Sequence, residues 1–488
     1  MSRNSFVVDI SKIASASVVS QIIILATTPI FTRLFSPSFV GAASVFMAIV
    51  FSLAPVSSLS YNQALVLAKN DREAAALTVL SFLLVLALTI ILIIPFGLFS
   101  DFFFGLNLGP ELRPYLWLIP ISVFIRGTGA ILIMESSRLG EFGLQGRSKI
   151  IQTVSERVFV LGPGLLGKTG ALVIIIGRLI SYIFEAAAFY RLLAANISRT
   201  RNVTWRILKE VAYRYREFPL YANWTNLTAN LSAYVSIFII AFFFTAEFTG
   251  LYAISERLLF LPLIIFGESI KSVYFRKATI QQNDPDQLSL FFAHMRDRLI
   301  AYSIFPMITI LFFGTEIFGL FLGAKWEAAG HVAGILCLFA FFQLISSPVM
   351  SLVNVLGKQR EFFFFTCLLL SVKFISFIVG GLMRNPMTAL WLVTISGSMT
   401  YLVIHCWIDK LLGMHHRNLF IQLAKHTMLT FTTLGAVLAL QRLHSDPLFL
   451  LFILGCASLV YYAVAIHVME GTSILMILRR IKTMSSST

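Results

Sequence analysis

Long apolar runs, each bounded by a few polar or charged residues, recur from one end of the chain to the other. A hydrocarbon core about 30 Å thick is crossed by roughly 20 residues of α-helix, and the runs have about this length. They place about fourteen spans, at 11–32, 40–62, 77–99, 114–135, 150–167, 170–192, 219–245, 250–273, 299–322, 331–355, 362–383, 387–411, 426–442 and 447–468. The fifth is the least regular, because Glu156 and Arg157 interrupt it. The expected fold is an all-α integral membrane protein.

Composition and charge then fix the topology. The chain is 58% hydrophobic and 12% charged, whereas soluble domains are about 25% charged. Most of its 38 Lys and Arg residues fall on one side of the span pattern, at both termini and in the loops around 199–216, 276–298, 358–360 and 410–425. The other side carries only Arg33, Arg113, Lys168, Lys325, Arg384 and Arg442. By the positive-inside rule the rich side is cytoplasmic. Removing the fifth span alone would invert everything after it and spoil this asymmetry. The net charge of +15 is thus mostly topology, and nucleic-acid binding is not expected. The first run is span-length and lacks a small-residue cleavage site, so no cleavable signal peptide is expected. Cys337, Cys367, Cys406 and Cys456 lie within apolar spans without metal-ligand spacing. Neither a metal nor another cofactor is expected.

An internal repeat organises the spans. Phe104-Gly105-Leu106-Asn107-Leu108-Gly109 returns as Phe318-Gly319-Leu320-Phe321-Leu322-Gly323, and Phe39-Val40-Gly41 returns as Phe248-Thr249-Gly250. Gly146-Arg147-Ser148-Lys149 has a looser echo in Gly357-Lys358-Gln359-Arg360. Three matches in one order predict two six-helix lobes, 1–215 and 216–425, with a further helix pair and tail at 426–488. Six is even, so the lobes are parallel repeats about an axis along the membrane normal.

The chemistry lies in charges at membrane depth. Arg126, Arg157, Arg178, Arg257 and Lys373 sit inside apolar runs, facing only Glu156, Glu185 and Glu256 at comparable depth, with Glu268 nearer the cytoplasmic end. Each mid-bilayer cation costs roughly 2.5–3.5 kcal/mol on insertion scales. The surplus cations predict a wet, positively charged cavity that suits an anion. Interhelical ion pairing that merely holds the bundle together is the competing explanation for any one of them. The carboxylates Glu156, Glu185 and Glu256 are candidates for coupling to an ion, proton or sodium. Adjacent side chains do not face each other on a helix, so Glu156–Arg157 and Glu256–Arg257 each reach separate partners. In the seventh span Asn223, Asn226, Asn230 and Tyr234 share one helical face, which serves either sugar hydroxyls or a neighbouring helix. Gln343, Ser347 and Asn354 make a weaker stripe on the tenth, and Pro29, Pro55 and Pro262 can support bending.

Two motifs are discounted. Gly162-Pro163-Gly164-Leu165-Leu166-Gly167-Lys168-Thr169 satisfies the P-loop pattern, but that motif works only between a buried strand and a helix N-terminus. Here it joins two spans on the outer side. The triplets at Asn196, Asn202, Asn223 and Asn226 match glycosylation acceptors, yet they are cytoplasmic or inside a span.

With these residues in place, the chain resembles the O-antigen flippases, the polysaccharide-flippase branch of the multidrug/oligosaccharidyl-lipid/polysaccharide exporter superfamily. The resemblance is carried by Thr28-Pro29-Ile30-Phe31-Thr32-Arg33-Leu34-Phe35-Ser36-Pro37 running into Gly41, and by Tyr61-Asn62-Gln63-Ala64-Leu65-Val66-Leu67. Its second-lobe counterpart is Gly250-Leu251-Tyr252 leading to Ser255-Glu256-Arg257-Leu258-Leu259-Phe260-Leu261-Pro262-Leu263, which also looks like the eighth helix of the lipid II flippases. The resemblance implies a two-lobed bundle around a central cationic cavity with alternating access. The implied activity is transfer of an undecaprenyl-diphosphate-linked oligosaccharide from the cytoplasmic to the periplasmic leaflet of a bacterial inner membrane, with no enzymatic step. Carry-over is direct for Arg33 and Arg257. Arg126, Arg178 and Lys373 join the expected substrate-binding set by depth, and Asn223, Asn226 and Asn230 by their shared face. A lipid II or other polyprenyl-linked glycan flippase is the nearest alternative. A multidrug antiporter, which needs acidic residues for organic cations, and a glycan polymerase, which needs a large outer loop, fit less well.

Overall fold

The computed structural model describes residues 3–98, 112–190, 192, 203–261, 284–347, 349–441 and 446–470. The segment 104–109, the loop residues 199–202 and 276–283, Pro262, Glu268, Asn196 and Asn202 lie outside these residues. We label its principal helices α1 (Arg3–Leu34), α2 (Pro37–Leu53), α3 (Asp71–Ile93), α4 (Leu118–Arg138), α5 (Phe142–Leu165), α6 (Ala171–Ala187), α7 (Trp205–Arg214) and α8 (Asn223–Phe243). They continue with α9 (Ala246–Leu259), α10 (Pro285–Leu322), α11 (Glu327–Ile345), α12 (Val349–Val355), α13 (Gln359–Leu382), α14 (Pro386–Leu411), α15 (His416–Gln441) and α16 (Pro447–Glu470). No strand occurs among the described residues.

Among the described residues, eleven helices are long and apolar enough to cross a bilayer. The three remaining expected spans are helical too. They are α5, with Arg147, Lys149, Glu156 and Arg157 along it, α6, 17 residues long, and the 14 described residues of α9. The all-α membrane fold read from the sequence is therefore the one observed.

Local sequence explains where these helices begin and end. Asn70 caps α3 by accepting the Glu73 N–H at 2.9 Å, and Asp71 and Glu73 in the first turn complement the helix dipole. Pro285 opens α10 behind Asp284, whose carboxylate accepts the Gln287 N–H at 3.1 Å. Pro29 removes one backbone donor within α1, and the flanking Thr28 and Thr32 hydroxyls donate back to the Ile24 and Thr28 carbonyls. Pro55 ends the regular part of the second span, which passes through a 3₁₀ turn at Ala54–Val56 into Leu59 and Ser60, both left-handed at φ 50° and 60°. That conformation is uncommon for non-glycine residues and has to be held in place by its surroundings.

The chain divides into two compact units. The first comprises Met1–Ile254 with Phe377–Pro386, and the second comprises Ser255–Ser376 with Met387–Thr488. In the first, α5 packs against α1 and α6, while α2 packs against α6 and α8. The short helix α7 buries Leu208 and Val211 against α3, and Arg214 reaches Glu73 at 2.7 Å. In the second unit α10 packs along α11, and Gly314 and Gly330 allow their backbones to meet.

A close backbone approach in the first unit joins the two copies of the sequence repeat. A Cβ on Gly41 would overlap the Ala246 carbonyl oxygen, and a Cβ on Gly250 would overlap the Pro37 carbonyl oxygen. Pro37 and Ala246 stand as far apart in sequence as Gly41 and Gly250 do. The contact is therefore reciprocal, each copy offering the same carbonyl to the other's glycine.

Candidate functional site

Three helices of the first unit bring charge together. On α5, Lys149, Gln152 and Glu156 follow each other at spacings of three and four and so share a face. On α6, Arg178, Tyr182 and Glu185 do the same at four and three. Arg178 Nη2 lies 2.7 Å from Glu156 Oε1. Arg126, from the middle of α4, donates through Nη1 to Glu185 Oε2 at 2.8 Å and stacks over the buried Tyr182 ring at 5.3 Å. Lys149 Nζ donates to Gln152 Oε1 at 3.0 Å and is within electrostatic reach of both ion pairs.

Arg157, one residue beyond Glu156, turns to a different face. Its buried guanidinium lies 5.7 Å from the centre of the Phe31 ring of α1. Its Nε has no hydrogen-bond partner among the described residues, and the same holds for Nε of Arg178. Three cations, Arg126, Lys149 and Arg178, thus surround two carboxylates, Glu156 and Glu185, and Arg157 adds a fourth positive charge within electrostatic reach of Glu156 from its other face. Such a group, embedded among apolar helices, attracts an anion and repels organic cations.

The adjacent pair Glu156–Arg157 does reach separate partners, as helix geometry requires. Arg126 and Lys373 lack a nearby carboxylate in sequence, yet each meets one across helices. Lys373 Nζ of α13 lies 3.8 Å from Glu256 Oε1 of α9, within the second unit. Arg178 pairs with Glu156 rather than with Glu185, seven residues further along its own helix. Arg257 is half-buried in the second unit, and Arg33 is exposed in the last turn of α1. The structure therefore brings Arg126, Arg178, Glu156 and Glu185 into one cluster of the first unit and places Lys373 with Glu256 in the second.

The asparagine face has a local task. Ser60 Oγ donates to Asn223 Oδ1 at 3.2 Å and accepts from Asn226 Nδ2 at 3.1 Å. Asn230 Nδ2 donates to the Asn226 carbonyl at 2.7 Å, and Tyr234 stacks on Phe51 at 5.8 Å. These groups hold the left-handed Leu59–Ser60 turn against α8. On α11 and the turn after it, Gln343 and Ser347 are half-buried.

The P-loop lookalike is a helix end. Gly162, Pro163 and Gly164 belong to the last turns of α5, and Gly167 has φ +78°. The Lys168 N–H donates to the Pro163 carbonyl at 3.0 Å and the Gly167 N–H to the Gly164 carbonyl at 3.1 Å. That pair of bonds is a Schellman motif, which closes a helix with glycine in the left-handed position.

Sequence reasoning missed two features. The expected span 150–167 leaves Lys149 just outside it, although its spacing from Glu156 along α5 signals the shared face. Arg296, which the expected spans leave in the loop 276–298, lies within the 38-residue helix α10 and donates to Asp409 Oδ1 at 2.5 Å.

Residues 30–331 match the family described as "Polysaccharide biosynthesis protein". This stretch covers more than half of the chain. The chain belongs to the polysaccharide biosynthesis protein family. No curated protein matches it by sequence. Among solved structures, this family member shares its fold with the lipid II flippase MurJ in an inward closed conformation, at TM-score 0.71 and 16% identity over 93% of this chain and 98% of that one. A multidrug resistance MATE transporter of the MOP superfamily, inward-facing, matches at TM-score 0.57 and 14% identity over 80% and 94%. A MOP superfamily transporter from Pyrococcus furiosus, described as having a binding pocket of reversed polarity, matches at TM-score 0.51 and 14% identity over 83% and 95%. At such identities these likenesses establish a shared fold for the polysaccharide biosynthesis protein.

Proposed function

We propose that the protein is a flippase for an undecaprenyl-diphosphate-linked oligosaccharide, an O-antigen or similar repeat unit, and not an enzyme. The observation that carries this reading is the cationic cluster on α4, α5 and α6. Its surplus of two positive charges, four cations less two carboxylates, equals the charge of a diphosphate diester. Arg126 and Arg178 engage the diphosphate as charge-assisted donors, and Arg33, Arg257 and Lys373 complete the substrate-binding set. Asn223, Asn226 and Asn230 offer the amide capacity left over from Ser60 to sugar hydroxyls. The protein sits in the bacterial inner membrane with both termini cytoplasmic, in contact with membrane lipids, and two lobes, 1–215 and 216–425, alternate access. Glu156, Glu185 and Glu256 couple the cycle to protons or sodium through exchange of their cationic partners. The fold likeness to MurJ favours lipid II or another polyprenyl-linked glycan as the second reading.

The test uses purified protein in vesicles loaded with a labelled undecaprenyl-diphosphate-linked oligosaccharide. Leaflet transfer without new glycosidic bonds is expected, with Arg257→Ala and Arg126→Ala both reducing it. New glycosidic bonds would make the protein a polymerase, and transport of organic cations alone would make it an antiporter.

A further inference from the structure

The second unit contains a buried charged group for which the proposed function has no use. Arg296 of α10 and Asp409 of α14 form an ion pair at 2.5 Å, with side chains 2% and 0% exposed. Asp409 Oδ1 receives the guanidinium, while Oδ2 has no hydrogen-bond partner among the described residues. The imidazole Nδ1 of His416 lies 3.8 Å from Oδ2, on a side chain that is 48% exposed at the start of α15. One turn before Asp409 on α14, His405 is fully buried. Its Nε2 meets Ser346 Oγ at 3.0 Å, and its Nδ1 has no partner among the described residues. Both Asp409 and His405 lie within electrostatic reach of Arg296. The charges around this group are completed by His294 and Asp297 on α10 and Lys425 on α15, with the Cys406 thiol beside them.

These groups descend from an exposed imidazole, through a buried carboxylate with one free oxygen, to a deeper imidazole with one free nitrogen. Carboxylates and histidines inside a membrane bundle are the usual parts of proton pathways. A metal cation fits poorly, because Arg296 already occupies one carboxylate oxygen with positive charge. We propose that His416 and Asp409 form a proton-binding relay in the second unit, with His405 as the buried imidazole one turn along α14 and Arg296 as the counter-charge set free when Asp409 is protonated. The proton passes from the His416 imidazolium Nδ1–H to Asp409 Oδ2, leaving a neutral imidazole and a carboxylic acid. A hydronium ion from the solvent then reprotonates the exposed His416, leaving water. The neutral acid no longer balances the guanidinium, so the tie between α10 and α14 weakens. Only the side from which the proton comes, the cytoplasm, rests on the topology proposed above.

Infrared difference spectroscopy on the purified full-length protein across a pH step, with no glycan present, tests the relay. A carboxylic-acid signal is expected in the wild type, lost in Asp409→Asn and shifted in His405→Gln. In His416→Ala the signal should persist but form more slowly. Asp409→Asn strands Arg296, so the double variant Arg296→Gln/Asp409→Asn is the control for folding, and it should reach normal membrane abundance. That folded double variant should lose any response of transport to an imposed pH gradient. A signal unchanged in Asp409→Asn, no signal in the wild type, or a wild-type gradient response in the double variant would each overturn the relay. A signal lost in Asp409→Asn from a protein that moves no lipid-linked glycan would leave the relay standing and remove the flippase reading.

Discussion

Arg126 and Glu185 show what a charge costs inside a bundle and what that cost can be used for. Their ion pair leaves Glu185 5% exposed, so removing the arginine strands a buried carboxylate. Breaking such a pair typically costs about 3–5 kcal/mol. Arg126→Ala should therefore lower membrane abundance, and Arg126→Ala/Glu185→Gln should restore abundance without restoring glycan export. Immunoblotting of membranes beside a surface-glycan assay separates the two effects. Export equal to wild type in the double variant would remove Arg126 from the substrate site. Arg257 poses the opposite case. If it grips phosphate, Arg257→Ala should reach normal abundance yet fail to export. Lysine should rescue only in part, since it lacks the planar fork that holds two oxygens at once. Normal export in Arg257→Ala would end its assignment. Pairings of this kind were the least legible part of the site. Spacing along α6 sets Glu185 two turns from Arg178, but the partners come from α4 and α5, and hydropathy carries no record of which helices become neighbours. Arg296 failed for a related reason: a charged residue near a span end reads as loop until its partner, Asp409, is found more than a hundred positions later.

The helices themselves were far more legible, because apolar runs are local. Their starts were not: α10 begins at Pro285 and α15 at His416, well before the expected spans 299–322 and 426–442. Among the described residues each expected span is largely helical, although 331–355 is broken by a turn at Ser346 and Ser347 between α11 and α12. The caps at Asn70 and Asp284 and the prolines at 37 and 285 stand where turn chemistry puts them. The α5 terminus yields a direct test. Lys168→Ala changes one exposed loop charge and should leave transport nearly intact, whereas loss of transport at normal abundance would revive the P-loop. Gly167→Ala forces a Cβ into the left-handed region and should destabilise by roughly 1 kcal/mol, read as a lower unfolding temperature in detergent. At the end of the second span, Ser60→Ala removes both asparagine contacts and leaves buried amide atoms unpaired. It should cost about 1–3 kcal/mol and perturb the Leu59–Ser60 turn, which Asn223→Ala would reproduce. Unchanged thermal unfolding in Ser60→Ala would mean that the turn is held by its packing alone. The left-handed turn itself was not visible in the sequence, since neither leucine nor serine announces a positive φ.

At the scale of the whole molecule, the distribution of lysine and arginine predicts one orientation, and cysteine labelling checks it. A cysteine replacing Lys168 should react with an impermeant reagent from the outer side. One replacing Glu210, on α7, should react only after the membrane is opened. The reverse pattern would invert every loop and with it the direction of transport. The repeat that suggested this architecture also has a physical meeting point, the crossing of Gly41 and Gly250. Because each copy presses its carbonyl into the space left by the other's missing side chain, neither position belongs to one half alone. A methyl group at Gly41 injures the second copy's helix, and one at Gly250 injures the first. A second methyl cannot compensate for the first, since both glycines yield room at the same point. The two halves of this chain, free to diverge elsewhere, are bound here to a shared vocabulary of one residue.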